Sequence, residues 1–253
     1  MVVSASGASP AALQQVAQLP FSQRIRQPVY WAWVRFTVFG RGVPAMLFGW
    51  MGWVQVSHLG TVLTWAQQNP SPRAAADLVA RALYLAFCCI PVGLYLTRPM
   101  PSARDSRLIA RTAAFTGTLM QVVIGAFLPF GPRLLHEPAV VDEIAAPLSI
   151  VAFAFAIYAM AYLRRNLSII PEARKLTTGG PYRLVRHPLY LAEISAAVAL
   201  VMSGPFLTPV VALVVFTMTQ NLRAGFEERL LTASFSDYAA YARRTRRLIP
   251  LVW

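Results

Sequence analysis

Long apolar runs separated by short polar connections organise this chain. Runs 43–66, 112–130 and 144–163 hold no Asp, Glu, Lys or Arg, and run 78–96 holds only Arg81, near its start, where its side chain reaches the interface. A bilayer core about 30 Å thick takes roughly 20 apolar residues per helix, so each run predicts a transmembrane helix. A fifth run, 189–222, is 34 residues long with one charge, Glu193, and is interrupted by Gly204, Pro205 and Pro209. As one helix it would be about 51 Å long, too long for a single crossing. Two shorter helices turning at Gly204-Pro205 are expected instead. The expected fold class is therefore all-α: a polytopic membrane protein of four transmembrane helices plus a fifth and sixth forming a helical hairpin.

Composition strengthens that picture. The chain is 57% hydrophobic and 13% charged, against about 45–50% and about 25% in soluble domains, which excludes soluble, disordered and fibrous classes. Its 23 Lys plus Arg against 10 Asp plus Glu give +13. These charges flank apolar runs, so they read as an orientation signal and no nucleic-acid partner is expected. Arg24 to Arg41, Arg98 to Arg111, Arg164 to Arg186 and Arg223 to Arg247 lie in connections on one side, leaving Arg73, Arg81 and Arg133 for the other. Both termini are thus expected in the cytoplasm, with a plasma or inner membrane as the setting. The opposite face collects Glu137, Asp142 and Glu143. Cys88 and Cys89 are adjacent and cannot build a disulfide framework or a zinc site. Residues 1–20 lack a secretory-signal pattern, and 1–28 read as a mobile tail, 29–142 as a three-span region and 143–253 as the region bearing chemistry.

The polar connection 164–187 is the first place to look for function, since a protein that only fills lipid has little need of it. Gly179-Gly180-Pro181 sets a turn, and Pro188 disfavours helical geometry at His187 while suiting a first helical turn itself. His187 is therefore expected at the mouth of the fifth span, with Tyr190 and Glu193 one turn apart beyond it. In the tail, Leu222, Phe226 and Leu230 recur every four residues beside a stripe of Leu231, Phe235, Tyr238 and Tyr241, predicting an amphipathic helix. Glu227 and Glu228 would then lie near the cytoplasmic surface, within reach of His187. Tyrosines, a histidine, arginines and two carboxylates at a lipid boundary suit a charged cofactor meeting a lipid-like substrate.

Gly180-Pro181-Tyr182-Arg183, then Arg186-His187-Pro188-Leu189-Tyr190, Glu227-Glu228, Tyr238, Tyr241 and Arg247-Leu248-Ile249-Pro250 resemble the isoprenylcysteine carboxyl methyltransferase and phospholipid methyltransferase superfamily. The likeness covers roughly 144–253, and Ala192 stands where many members have Gly. It implies an integral membrane enzyme using S-adenosylmethionine, with the cytoplasmic loop and C-terminal helix forming a cofactor cap. By that likeness Pro181, Tyr182, His187, Leu189 and Tyr190 would line the cofactor, and Glu227 or Glu228 would hold its amino group or ribose hydroxyls. A sulfonium is attracted to tyrosine faces and an ammonium to a carboxylate, which agrees. Methyl transfer is a single displacement at an activated carbon, needing positioning and no metal. A carboxylate acceptor, positioned by Arg183 or Arg186, needs no base; an amine acceptor would use His187 or Glu193. The favoured partner is a lipophilic or prenylated acceptor with a prenylcysteine-type carboxylate, within membrane lipid.

Each feature also has a structural explanation. His187 could merely begin a helix, Glu193 could pair with Arg186 or Arg223, and the Arg243 to Arg247 cluster could anchor the tail to anionic lipid. Two other functions compete: an NADPH-dependent membrane sterol-type reductase, which shares the Arg-His-Pro-x-Tyr element and Glu193, and a non-catalytic membrane or transport protein. Against transport, the apolar runs hold almost no ionisable residues to mark an ion path.

Overall fold

A computed structural model describes residues 2–4, 10–126, 139–203 and 207–249. The N-terminal part is a series of helices: α1 (Pro10–Gln18), α2 (Phe21–Arg24) and α3 (Pro28–Arg35), then π-helical turns over Phe36–Gly42 that lead into α4 (Val43–Ser57) and α5 (Leu59–Gln68). The run 43–66 is thus two helices rather than one. They break at His58, where neither glycine nor proline announces it. Next come α6 (Pro72–Thr97), α7 (Leu108–Ala126), α8 (Ala139–Leu163), α9 (Pro188–Met202), α10 (Leu207–Ser234) and α11 (Tyr238–Arg244). Ser71 caps α6 by accepting a hydrogen bond from the Ala74 N–H at 3.1 Å.

Two of these helices, α6 and the α8 segment Glu143–Asn166, are long and apolar enough to cross a membrane; α9 is a shorter apolar helix. The apolar hairpin takes the form of α9 and α10, which pack together; its Gly204-Pro205 turn lies outside the described residues, as do the end of the run 112–130 and Arg133, Glu137 and Pro250. The tail differs from the single amphipathic helix expected. α10 continues without a break through Glu227 and Glu228 to Ser234, and α11 is a separate short helix.

Packing runs across the chain: α4 and α8 lie against α6, α9 against α8, and α7 against α10. The largest buried cluster joins Phe87, Cys88 and Tyr95 of α6 to Ala156, Ala159 and Met160 of α8, and reaches Leu189 and Ala192 of α9. A second joins Ile124, Ala197, Val201, Ala212 and Phe216 across α7, α9 and α10. Small residues at these contacts let helix backbones approach closely. Large apolar side chains such as Trp50, Trp53, Val151 and Met218 point outward, as expected where the surrounding medium is itself apolar.

A small antiparallel sheet, absent from the sequence reading, accompanies the helices: β1 (Val2–Ser4), β2 (Ala103–Asp105) and β3 (Glu172–Ala173). It brings the α6–α7 connection against the segment after α8. There Glu172, whose side chain is 1% exposed, pairs with Arg174 at 2.7 Å, Arg98 at 3.4 Å and Arg104, and accepts a hydrogen bond from Ser168 at 2.7 Å. Burial works against this carboxylate, but Arg174, Arg98 and Arg104 outweigh it and hold it below the usual carboxylate range. Arg98 also donates to the carbonyls of Leu167, at 2.9 Å, and Gly40, tying three parts of the chain together.

Candidate functional site

Everything at the site is built around the entry to α9. Gly180 has φ +57°, and a Cβ there would come within 2.5 Å of the Tyr162 ring, so the turn requires glycine on two counts. The short 3-10 turn Gly180–Arg183 follows, and Pro188 then starts α9, as its ring geometry favours.

The stretch before α9 pairs with the C-terminal segment. Val185 forms a parallel bridge with Arg246, the Arg186 N–H donates to the Arg246 carbonyl at 2.7 Å, and the His187 N–H donates to the Arg247 carbonyl at 3.1 Å. Tyr241 adds a hydroxyl donated to the Tyr182 carbonyl at 2.7 Å. Side chains complete the closure. Arg186 Nε donates to Glu228 Oε1 at 2.8 Å, while its Nη1 donates to the carbonyls of Ala242 at 2.7 Å and Thr245 at 2.6 Å. His187 Nε2 lies 3.2 Å and Arg247 Nε 3.5 Å from the same Glu228 oxygen. Burial alone would push the Glu228 carboxyl up, but the hydrogen bonds from His187 and Arg186 overcome it and hold it at about 2.

Glu227 faces the other way. It accepts a hydrogen bond from the Tyr190 hydroxyl, its second oxygen is 3.8 Å from His187 Nδ1, and it lines a cavity of about 110 Å³. The stacked rings of His187 and Tyr190, 5.3 Å apart and within 4° of parallel, line that cavity with Tyr182, Tyr238 and Tyr241. Burial pushes the hydroxyls of Tyr182, Tyr238 and Tyr241 above their ordinary range, so they remain neutral. The opposite wall is the segment after α8, including Asn166, Arg174 and Thr177. Among the described residues, two polar atoms of the lining are buried without a hydrogen-bond partner, Arg174 Nη1 and Tyr238 Oη.

Of the residues expected at the site, Tyr182, Arg186, His187, Leu189, Tyr190 and Glu227 do line one cavity. The others lie outside its lining. Arg183 is exposed and is not among the lining residues, because the 3-10 turn directs Tyr182 inward in its place. Pro181 is buried behind the turn and Glu228 is spent on Arg186, His187 and Arg247, so neither lines the cavity. Glu193 lies deeper in α9. Gln220 donates to it, Arg223 Nη1 donates to Gln220 Oε1 at 2.7 Å, and the Arg223 guanidinium sits 4.9 Å above the Tyr190 ring. Glu193 is thereby linked to the cavity through Gln220, Arg223 and Tyr190. Arg174, Asn166 and Thr177 were missed; nothing local in the sequence distinguishes Arg174 from the other basic residues of its connection. Among the described residues, no group of three or more His, Cys, Asp or Glu could hold a metal.

Residues 142–238 match the phospholipid methyltransferase family. The match takes in 97 of the chain's 253 residues. The matched family is part of the superfamily that joins isoprenylcysteine carboxyl and phospholipid methyltransferases, and the match takes in most of α8 and all of α9 and α10, with His187, Tyr190, Glu227 and Glu228. The chain is similar to the cobalt-zinc-cadmium resistance protein CzcN of Cupriavidus metallidurans, 34% identical over 76 residues, which is 30% of this chain and 35% of that protein. It is also similar to the nickel-cobalt-cadmium resistance protein NccN of Alcaligenes xylosoxydans xylosoxydans, 30% identical over 80 residues, or 31% and 38% of the two chains. The matches thus span little more than a third of either relative.

Proposed function

We propose that the protein is an S-adenosylmethionine-dependent integral membrane methyltransferase acting on a lipid-like acceptor, with the cavity beside α9 as its active site. The observation that carries this reading is the single cavity shared by Tyr182, His187, Tyr190 and Glu227, within the region matching the methyltransferase family. The residues fit the cofactor's chemistry. Tyrosine faces suit a sulfonium, Glu227 suits an ammonium or hydroxyl, and the unpartnered Arg174 Nη1 and Tyr238 Oη suit a carboxylate and a further polar group. When bound, the cofactor would supply an electrophilic methyl group.

The chain's own residues divide the remaining work. Arg186 and Glu228 hold the loop before α9 against α10 and α11, and His187 and Tyr190 present a flat aromatic wall. Tyr190 orients Glu227, and Arg223 fixes Tyr190 from behind. The space is below the 300–1,000 Å³ of typical cofactor pockets. Full occupancy therefore requires the wall formed by Asn166, Lys175 and Thr177 to move outward. With Arg186 engaged by three partners and Arg183 turned away, acceptor positioning falls to other lining groups.

A prenylcysteine-type carboxylate remains the favoured acceptor, because an ionised carboxylate is a nucleophile without a base, and His187 lies against two carboxylates. The family match supports methyl transfer over sterol-type reduction or transport. Further spans beyond α6 and α8, with both termini in the cytoplasm, belong to the same proposal. Incubating membranes containing the protein with methyl-labelled S-adenosylmethionine tests it: label should enter an extractable lipid-like product and be released as methanol by mild alkali, as from an ester. Alkali-stable label would transfer the proposal to an amine acceptor; no incorporation above membranes lacking the protein would overturn it.

A further inference from the structure

A second cavity, of about 1130 Å³, lies behind the wall of the first and shares Asn166, Lys175 and Thr177 with it. It opens at the C-terminal ends of α6 and α8, the two helices long and apolar enough to cross a membrane. Its two kinds of lining are chemically distinct. Leu94, Ala161 and Leu163, from the last turns of those helices, form an apolar side; Arg164, Arg165 and Lys175 contribute three cations. The described lining residues include no carboxylate. The helix ends contribute about half a negative charge each, which three full cations outnumber.

The cationic side is shaped rather than casual. Arg164 has φ +49°, the only non-glycine residue with positive φ among the described residues, so the chain accepts strain where α8 gives way to the turn Arg164–Asn166. Asn166 Nδ2 donates to Thr177 Oγ1 at 3.2 Å, joining two residues of the wall that the cavities share. Tyr162 packs on Gly179 and Gly180 and closes one flank. The methyl-transfer chemistry described above uses none of these cations.

We propose that this cavity binds the anionic headgroup of a membrane lipid, its phosphate held by Arg164, Arg165 and Lys175 and its chain lying along Leu94, Ala161 and Leu163. The proposal rests on the membrane reading of α6 and α8 and is independent of whether the bound lipid is the methyl acceptor. Juxtamembrane cations attract anionic lipid at about fivefold each, so three give a preference of roughly 100-fold over a zwitterionic lipid of the same chains.

The test is native mass spectrometry of the full chain in detergent, titrated with phosphatidylglycerol and, separately, phosphatidylcholine. Wild type should prefer phosphatidylglycerol. The triple variant Arg164→Gln, Arg165→Gln, Lys175→Gln should lose that preference, with phosphatidylcholine affinity falling much less than phosphatidylglycerol affinity, and Lys175→Gln alone should lose about fivefold while Lys175→Arg retains it. A matched variant, Arg26→Gln, Arg35→Gln, Arg81→Gln, removes the same charge from equally exposed positions outside the cavity and should leave the preference intact. Equal loss in both triple variants, no loss in the first, or displacement of the lipid from wild type by millimolar inorganic phosphate would each overturn the site. S-adenosylmethionine titrated into the same samples keeps the two readings separate: lipid preference without cofactor binding counts against the methyltransferase proposal alone.

Discussion

Replacing Glu228 with Gln tests the closure of the cap over the cavity. The carboxylate accepts hydrogen bonds from Arg186 Nε at 2.8 Å and His187 Nε2 at 3.2 Å and forms an ion pair with Arg247 Nε at 3.5 Å, with its side chain 22% exposed. Charge-assisted hydrogen bonds contribute about 1.5–3 kcal/mol each, with values at the low end where solvent reaches. The amide keeps one acceptor for Arg186 and loses the charge that attracts the other two, so a cost of about 2 kcal/mol is expected. For a chain of this length that lowers the thermal midpoint by roughly 4–8 °C. The carboxyl is held at about 2 against an ordinary 4.5, so its contribution is fully present above the ordinary value and fades as pH falls from 4.5 toward 2. Thermal unfolding in detergent, followed for wild type and variant from about pH 7 to about pH 3, reads both effects; the gap should be constant above about pH 5 and shrink below. A gap under about 0.5 kcal/mol at neutral pH, the scale of an ordinary surface change, or one that does not narrow in acid, would refute the reasoning.

Other perturbations probe neighbouring parts. Glu172→Ala leaves Arg98 and Arg174 buried without their carboxylate and should cost about 3–5 kcal/mol, measured as lost thermal stability or yield of folded protein. Gly180→Ala forces a positive φ on a side chain and drives its Cβ into the Tyr162 ring; the expected cost is about 1–3 kcal/mol, and Tyr162→Ala in the same chain should recover the steric part only. Tyr190→Phe removes the donor to Glu227 but keeps the ring, so S-adenosylmethionine affinity should fall by roughly 5–10-fold, about the worth of one hydrogen bond, with little change in stability.

Local signals carried part of this structure. Pro188 and the apolar run behind it mark the start of α9, and the glycine pair marks the turn before it, because each acts through its own backbone geometry. The break at His58 carries no such signal, since the run 43–66 is apolar on both sides of it. Continuation of α10 into the tail was obscured because the four-residue recurrence of Leu222, Phe226 and Leu230 fits either a new helix or an extension of the preceding one. Partners distant in sequence were beyond reach: Glu172 meets Arg98 and Arg104 only once β2 and β3 pair, and two or three residues of strand leave no periodicity to read. The nearness of His187 to Glu227 and Glu228 was legible from the expected topology, but which of the two carboxylates it bonds was not. Arg183 and Arg186 look alike as basic residues three apart; only the pairing of Val185 with Arg246 decides which guanidinium is turned inward.

The account stands most directly on one binding measurement. Equilibrium dialysis of labelled S-adenosylmethionine against the purified full chain should give one saturable site, weakened at least tenfold by Glu227→Ala, which removes a charged acceptor from the cavity wall, and unchanged by Arg183→Ala on the exposed turn. Absence of saturable binding, or equal sensitivity to both substitutions, would contradict the assignment of the cavity beside α9 as the cofactor site.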